Sequence, residues 1–211
     1  GEPRLLSYLD PPLQHVSRRV LKLMRRGGDP QRLANLVEHA RRTVPDLAIR
    51  TTFLTGFPGE GEEEFEELVA WVESVALDHV GVFAYSWQEE NPGAELGDPV
   101  PAAVKEARRS RLLEAQQSVS AARNAALVGR RLPALVTGRL PEMDLLGEAH
   151  LERQAPEIDG RLLINDGFAP AGTLVEVEVT EAHPYDLVGG IVRVLRPSRC
   201  NGGSVELPML G

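Results

Sequence analysis

The residues with the most chemical promise in this chain sit where apolar runs stop. RTTFLTGFPGE, Arg50 to Glu60, reads as a strand that ends at a Gly-x-x-Gly turn and passes at once into an acidic helix start. In open and barrel-like α/β folds, ligands lie beyond the carboxyl ends of the strands, where glycine lets backbone come close to them. Arg50 and Thr52 are two residues apart and so share one strand face; an arginine so placed can grip a carboxylate through two parallel hydrogen bonds. Leu54, Gly56 and Phe57 lie at the strand's end. Gln14 and His15 follow the run YLD, again at a carboxyl-end position, and carry groups that suit hydroxyls or an amino acid. Asp10 ends that same run. Tyr85 and Ser86 end another, VGVFAYS, in which Phe83 reads as core. Glu60, Glu62, Glu63 and Glu64 occupy the place at the helix start that a phosphate would otherwise take. The turn therefore suits a neutral or cationic ligand, and the acids from Glu60 to Glu67 read as a solvated helix face.

Composition narrows the classes. With 211 residues the chain can build one large domain or two small ones. No apolar run approaches the ~20 residues needed to span a bilayer, and GEPRLLSYLDPP lacks the basic-then-apolar layout of a secretory leader. The expectation is a cytoplasmic protein with no membrane role. The 23 basic residues against 31 acidic ones argue against broad nucleic-acid binding, which needs a basic surface. The single cysteine, Cys200, excludes an internal disulfide and any cysteine-only metal or iron–sulfur site made by this chain's residues. His79, His150 and His183 have no partners in the pattern that would make ligands of them, and no metal site is expected.

The elements that must position these residues alternate in the first half. LLSYLD is a short strand stopped by Pro11 and Pro12. HVSRRVLKLMRR is a helix stopped by Gly27 and Gly28, and Asp29-Pro30 opens another. Then come the strand LAIRTTFL, the helix EEEFEELVAWVESVA and the strand HVGVFAYS. This order implies parallel strands with right-handed crossovers. A polar loop with a turn at Asn91-Pro92-Gly93 leads to a long helix from Pro101 to about Ala126.

After Gly129 the period drops to two. PALVTGRL, RLLINDG, TLVEVEVTEAH and GGIVRVL read as strands separated by turns, which predicts a small antiparallel β-domain closed as a barrel. The boundary falls between residues 1–128 and 129–211. Ala155 to Gly160 and Tyr185-Asp186-Leu187 stand out as polar loops. From Arg130 onward there are 8 Arg against 12 Asp plus Glu, a net of −4, so this domain is acidic where many small β-barrels that bind RNA are not.

The blocks YLDPPLQHVSRRVLKLM, RTTFLTGFPGEGEEEFEELVAWV, VGVFAYS and VKEARRSRLLEAQQSVSAARNAALVGR, in that order, resemble the radical S-adenosylmethionine methylthiotransferases. The terminal β-domain is similar to their TRAM domain. YLDPPLQH, the RTTF start and Ala155 to Gly160 point to the branch that modifies ribosomal protein S-twelve. The tRNA-modifying branch usually reads YLHLPVQSGS at the first of these. The resemblance implies an open, partial parallel α/β barrel of the radical S-adenosylmethionine type followed by a small OB-like barrel.

It also implies a chemistry. Members cleave S-adenosylmethionine reductively at a four-iron–four-sulfur cluster, and the resulting radical takes a hydrogen from an unactivated carbon. A second such cluster takes part in delivering sulfur. In this branch the carbon is the β-carbon of an aspartate on the S-twelve protein, free or on the small ribosomal subunit. On this reading Gln14, His15, Arg50, Thr52, Leu54, Gly56 and Phe57 line the cofactor, with Leu54, Gly56 and Phe57 beside the adenine. Glu157, Asp159, Tyr185 and Asp186 dock the substrate, and no residue is singled out for the chemical step. An acidic domain suits a basic ribosomal protein better than a tRNA backbone.

The departures are a missing cluster loop and N-terminal cluster domain, Pro11 in place of an aliphatic residue and Arg18 in place of an acid. The expectation is the C-terminal part of a longer enzyme, inactive and free of iron on its own, with its sheet left open. The alternatives are part of a tRNA methylthiotransferase, or a non-catalytic docking or RNA-binding module.

Overall fold

The computed structural model describes residues 5–89, 94–140 and 143–198. The turn expected at Asn91-Pro92-Gly93 and the tail with Cys200 lie outside them. The chain divides into two compact units, Gly1–Ala126 and Leu127–Gly211.

The first unit holds three parallel strands in the order β1 (Tyr8–Leu9), β2 (Ala48–Thr55), β3 (His79–Ala84). Pro11 and Pro12 bring no backbone donor, and β1 stops after two residues. Pairing resumes at Gln14, which takes a left-handed φ of 67°. Its N–H donates to the Thr52 carbonyl at 2.9 Å, and its carbonyl accepts from the Leu54 N–H at 2.8 Å. Among the described residues β1 and β3 each pair on one side only, so the sheet is open.

Four helices accompany the strands: α1 (Arg18–Leu23), α2 (Pro30–Thr43), α3 (Glu62–Val75) and α4 (Ala102–Ala125). α2 starts as its sequence dictates. The Asp29 side chain accepts from the Arg32 N–H at 2.9 Å, and Pro30 takes the first helical position, where no donor is missed. Apolar residues of α2, α3 and α4 meet one face of the sheet. Ile49, Phe53, Phe65, Leu68, Val72, Leu77 and Leu112 form that core, and Phe53 meets Trp71 edge-on at 5.9 Å. Full burial of Phe53 and Phe65 contributes about 2–3 kcal/mol each. Along β2, Thr51, Phe53 and Thr55 point into this core, and Arg50, Thr52 and Leu54 point away from it.

The acids of α3 stand on a largely exposed face, as expected, and several of them are paired. Glu66 pairs with Arg111, Glu62 lies 3.2 Å from Arg108, and Glu64 accepts from Arg19 Nε at 2.5 Å and from the Gly61 N–H at 2.9 Å. The Arg19 guanidinium, helped by the backbone N–H groups of Glu64 and Gly61, holds the Glu64 carboxyl down at about 2. A depressed carboxyl adds stability above its unfolded pKa and loses it as pH falls through the folded one. Glu64→Gln is therefore expected to cost about 1 kcal/mol at neutral pH, Arg19 being exposed. The difference in unfolding free energy from the parent chain should shrink between pH 4.5 and about 2. A pH-independent difference in urea midpoints would contradict this.

Among the described residues the second unit has five strands: β4 (Arg131–Leu140), β5 (Met143–Leu151), β6 (Leu162–Asp166), β7 (Leu174–Ala182) and β8 (Leu187–Arg196). The ladder runs β4-β5-β6-β8-β7, and β7 pairs back to β4. Val175, Val177 and Val179 are fully buried, as their alternation requires. Two expectations are corrected. β5 is an extra strand, and the sheet is mixed, not antiparallel, because β6 and β8 run parallel. The second follows from the first. Strand directions cannot alternate all the way around a closed ladder of five, so at least one neighbouring pair must run parallel.

Candidate functional site

Arg50, Thr52 and Leu54 share the face of β2 opposite Phe53, with Leu54 packed against the cluster of Val20, Met24, Phe57 and Tyr85, and the register sets His79, Gly81 and Phe83 of β3 beside them. Tyr8 joins from β1, its ring 6.5 Å from that of His79. Arg50 Nη1 donates to Asp10 Oδ2 at 2.9 Å and reaches Thr52 Oγ1 at 3.4 Å. A Cβ on Gly81 would stand 3.1 Å from Arg50 Nη2, so glycine gives the guanidinium room across the sheet. Phe83 is 60% exposed, a correction to its reading as core. Its register with Leu54 puts it on the face opposite the buried Val82 and Phe53. The face thus offers an arginine–carboxylate pair, a hydroxyl and two apolar side chains. That donor set fits an amino-acid group joined to a flat apolar ring.

Of the other residues expected to line this site, His15, Gly56 and Phe57 are buried near the carboxyl end of β2, and Gln14 is partly buried. His15 is fully buried; its Nδ1 accepts from the Ser17 N–H at 3.0 Å, and its Nε2 faces Glu60 Oε2 at 3.4 Å. Phe57 packs edge-on against Tyr85 at 5.1 Å, in a small cluster with Val20 and Met24. Gly56 has φ 73°, and a Cβ there would stand 2.3 Å from Lys105 Cγ. Its N–H already donates to Glu60 Oε1 at 2.9 Å and is not open to a ligand. Gln14 acts through its backbone, bridging β2 on both sides of Phe53. Tyr85 is buried as well, which pushes its phenol up, with Asp98 and Glu95 adding to the effect.

Two residues missed in the sequence, and one misjudged, complete the rim. Lys105 of α4 is buried, pairs with Asp98 and donates to the Tyr85 carbonyl at 2.9 Å, which pins the end of β3. Arg108, one turn on, donates to Glu60 Oε1 at 2.8 Å and to the Glu60 carbonyl at 3.0 Å. Glu60 itself is buried, a correction to the solvated face expected of it. Lys105 and Arg108 stand at i, i+3 spacing, which is equally common on solvated helices and points to neither partner.

In the second unit the two loops expected to dock a substrate are neighbours. The Arg161 N–H donates to Asp186 Oδ1 at 2.9 Å, and the Leu187 N–H to the Arg161 carbonyl at 2.9 Å. Asp159 Oδ2 accepts from the Ala155 N–H at 2.9 Å. Asp159 and Asp186 are therefore engaged in shaping turns. Glu157, at a left-handed φ of 65°, is exposed together with Ile158 (63%) and Tyr185 (50%). The joint surface is acidic with two apolar members.

Among the described residues no three His, Cys, Asp or Glu are placed to hold a metal ion, and the sequence has one cysteine. The residues present do not fit an iron–sulfur cluster. No helix among the described residues is long and apolar enough to cross a membrane.

Residues 3–72 match the model of the radical SAM superfamily, and residues 128–192 match that of the TRAM domain. The chain is 48% identical to the ribosomal protein uS12 methylthiotransferase RimO of Anaeromyxobacter sp. strain K over 191 residues, which are 90% of this chain and 41% of that protein. It is 45% identical to the protein of the same name from a second Anaeromyxobacter strain, over 100% of this chain and 46% of the other. For the Myxococcus xanthus protein of that name, the identity is 43% over 91% of this chain and 40% of the other. The chain spans less than half the length of these curated relatives. The solved structure of Escherichia coli coproporphyrinogen III oxidase shares 18% identity at a TM-score of 0.41 over 53% of this chain and 26% of that one, a likeness too slight to add to these.

Proposed function

Since this chain belongs to the radical SAM methylthiotransferases, we propose that it forms part of an enzyme that methylthiolates the β-carbon of an aspartate on ribosomal protein uS12. The observation that carries the reading is the 45–48% identity, over 90–100% of the chain, to two relatives of that name. The open parallel sheet of the first unit supports it as the closing part of a partial barrel, with residues 1–128 its domain. The closed ladder of the second supports an OB-like TRAM domain over 129–211.

In this reading the open face of β2 and β3 holds S-adenosylmethionine. Arg50 grips the carboxylate of its amino acid, Asp10 takes the amine, Thr52 a ribose hydroxyl, and Leu54 and Phe83 flank the adenine. Gln14, His15, Gly56 and Phe57 set the height of that face from below. When bound, S-adenosylmethionine supplies the methyl group and the oxidising equivalent for hydrogen removal. The two four-iron–four-sulfur clusters of such an enzyme are held outside the residues of this chain. The exposed Glu157, Ile158 and Tyr185 receive a basic segment of uS12, with Asp159 and Asp186 shaping the loops beneath them. Opposite charge favours such a protein over an RNA backbone. The setting is the cytoplasm, where ribosomes are modified.

The test uses the full-length polypeptide that carries this chain, with clusters reconstituted, S-adenosylmethionine, a reductant and a sulfur source. The expected product is uS12 bearing one methylthio group in place of a hydrogen on an aspartate, read by peptide mass spectrometry. Modification of a tRNA base instead, with uS12 untouched, would move the chain to the tRNA branch.

A further inference from the structure

The Glu60 side chain is fully buried and ties together three segments far apart in sequence. Oε1 accepts from the Gly56 N–H at 2.9 Å, at the end of β2, and from Arg108 of α4 at 2.8 Å. Oε2 faces His15 Nε2, after β1, at 3.4 Å, and neither of these two atoms has a hydrogen-bond partner. With the Ser17 N–H on Nδ1, the neutral ring carries its proton on Nε2, toward Glu60. The tied backbone lies past the carboxyl end of β2, directly after Leu54 and Thr55.

A buried ion pair contributes little net stability, and apolar residues of similar volume often replace it without loss. An apolar pair cannot accept the Gly56 N–H, and a buried N–H left without an acceptor is costly enough that the turn would reset. Stability and geometry can thus be separated at this one residue.

We propose that Glu60 is a positioning residue whose buried carboxylate fixes Gly56 beside His15 at the carboxyl end of the open strand face, so that ligand affinity at that face depends on it. The inference rests on reading that face as the S-adenosylmethionine site.

The experiment compares two double variants in the full-length, reconstituted protein. Glu60→Gln with Arg108→Met removes both charges but keeps an acceptor for the Gly56 N–H. Glu60→Leu with Arg108→Leu removes the acceptor too. Thermal midpoints and the Kd for S-adenosylmethionine by equilibrium dialysis are read together. At similar midpoints, the Gln–Met pair should bind within about threefold of the parent, and the Leu–Leu pair about tenfold more weakly, the loss of one buried hydrogen bond. Equal affinities for the two pairs would overturn the proposal. Should the Leu–Leu pair not fold, hydrogen exchange of the parent decides: the Gly56 amide should be protected like the adjacent amides of β2, and exchange at loop rates overturns the proposal. Arg50→Ala separates the two readings. No change in affinity on Arg50→Ala sinks the site and this inference with it. A loss on Arg50→Ala, with the Leu–Leu pair binding normally, sinks only the role of Glu60.

Discussion

Asp78→Ala is expected to lower the stability of the first unit by about 3 kcal/mol or more, the cost of breaking a buried ionic group by removing one partner. The Asp78 side chain is 2% exposed. Its Oδ2 accepts from the Ile49 N–H of β2 at 3.0 Å, its Oδ1 from Arg123 Nε of α4 at 2.7 Å, and Arg41 of α2 lies 3.7 Å away. One carboxylate therefore joins a strand and two helices.

The arginines are partly exposed and regain water when it is lost, which limits the cost on their side. The Ile49 N–H has no such recourse. Asp78→Asn keeps one acceptor and should cost less, about 1–2 kcal/mol. The variants are read by urea unfolding of the first unit. A loss below about 1 kcal/mol for the alanine would show that Ile49 and the arginines find other partners. Asp78 stands just before β3, at the amino ends of the strands, away from the rim formed by Gly56 and Glu60.

The parallel strands and their helices were legible because their signals are local. Pro11 and Pro12 end a strand by removing donors, Asp29-Pro30 begins a helix by capping it, and the valines of β7 alternate with acids. β5 was not legible. MDLLGEAHL breaks the alternation with a central glycine and two acids, and its inward positions at Ala149 and Leu151 make sense only once β4 and β6 flank them. The parallel pairing of β6 with β8 depended on finding β5, because it follows from strand number.

At the candidate site, Arg50, Thr52 and Leu54 were legible as one strand face. Their neighbour Phe83 was misjudged because an aromatic in a strand is usually buried, and only the pairing with β2 shows that it alternates with the buried Val82. Glu60 was misjudged for the opposite reason. Four acids in five positions read as solvent-facing, yet the turn at Gly59 directs Glu60 back under Gly56, where Arg108 arrives from 48 residues away. No local pattern carries a pairing of that range.

Gly160→Ala is expected to separate the two loops of the second unit. A Cβ at this position would stand 1.8 Å from the Tyr185 carbonyl oxygen and 2.5 Å from its carbon. Both are backbone atoms, so no side-chain rotation relieves the contact, and one loop has to move. Overpacking of this kind costs about 1–3 kcal/mol, and a backbone obstacle puts it at the upper end. The movement breaks two specific bonds, from the Arg161 N–H to Asp186 and from the Leu187 N–H to the Arg161 carbonyl. Faster hydrogen exchange is therefore expected at Arg161 and Leu187, while the amides of Val175, Val177 and Val179 in the core of β7 keep their protection. Because Glu157 and Ile158 stand on one loop and Tyr185 on the other, the same substitution should weaken docking of a basic protein segment about tenfold, the effect of losing one well-placed contact. Unchanged exchange at Arg161 and Leu187 would show that the loops tolerate the added methyl. Faster exchange with docking unchanged would place the substrate on another surface of this unit.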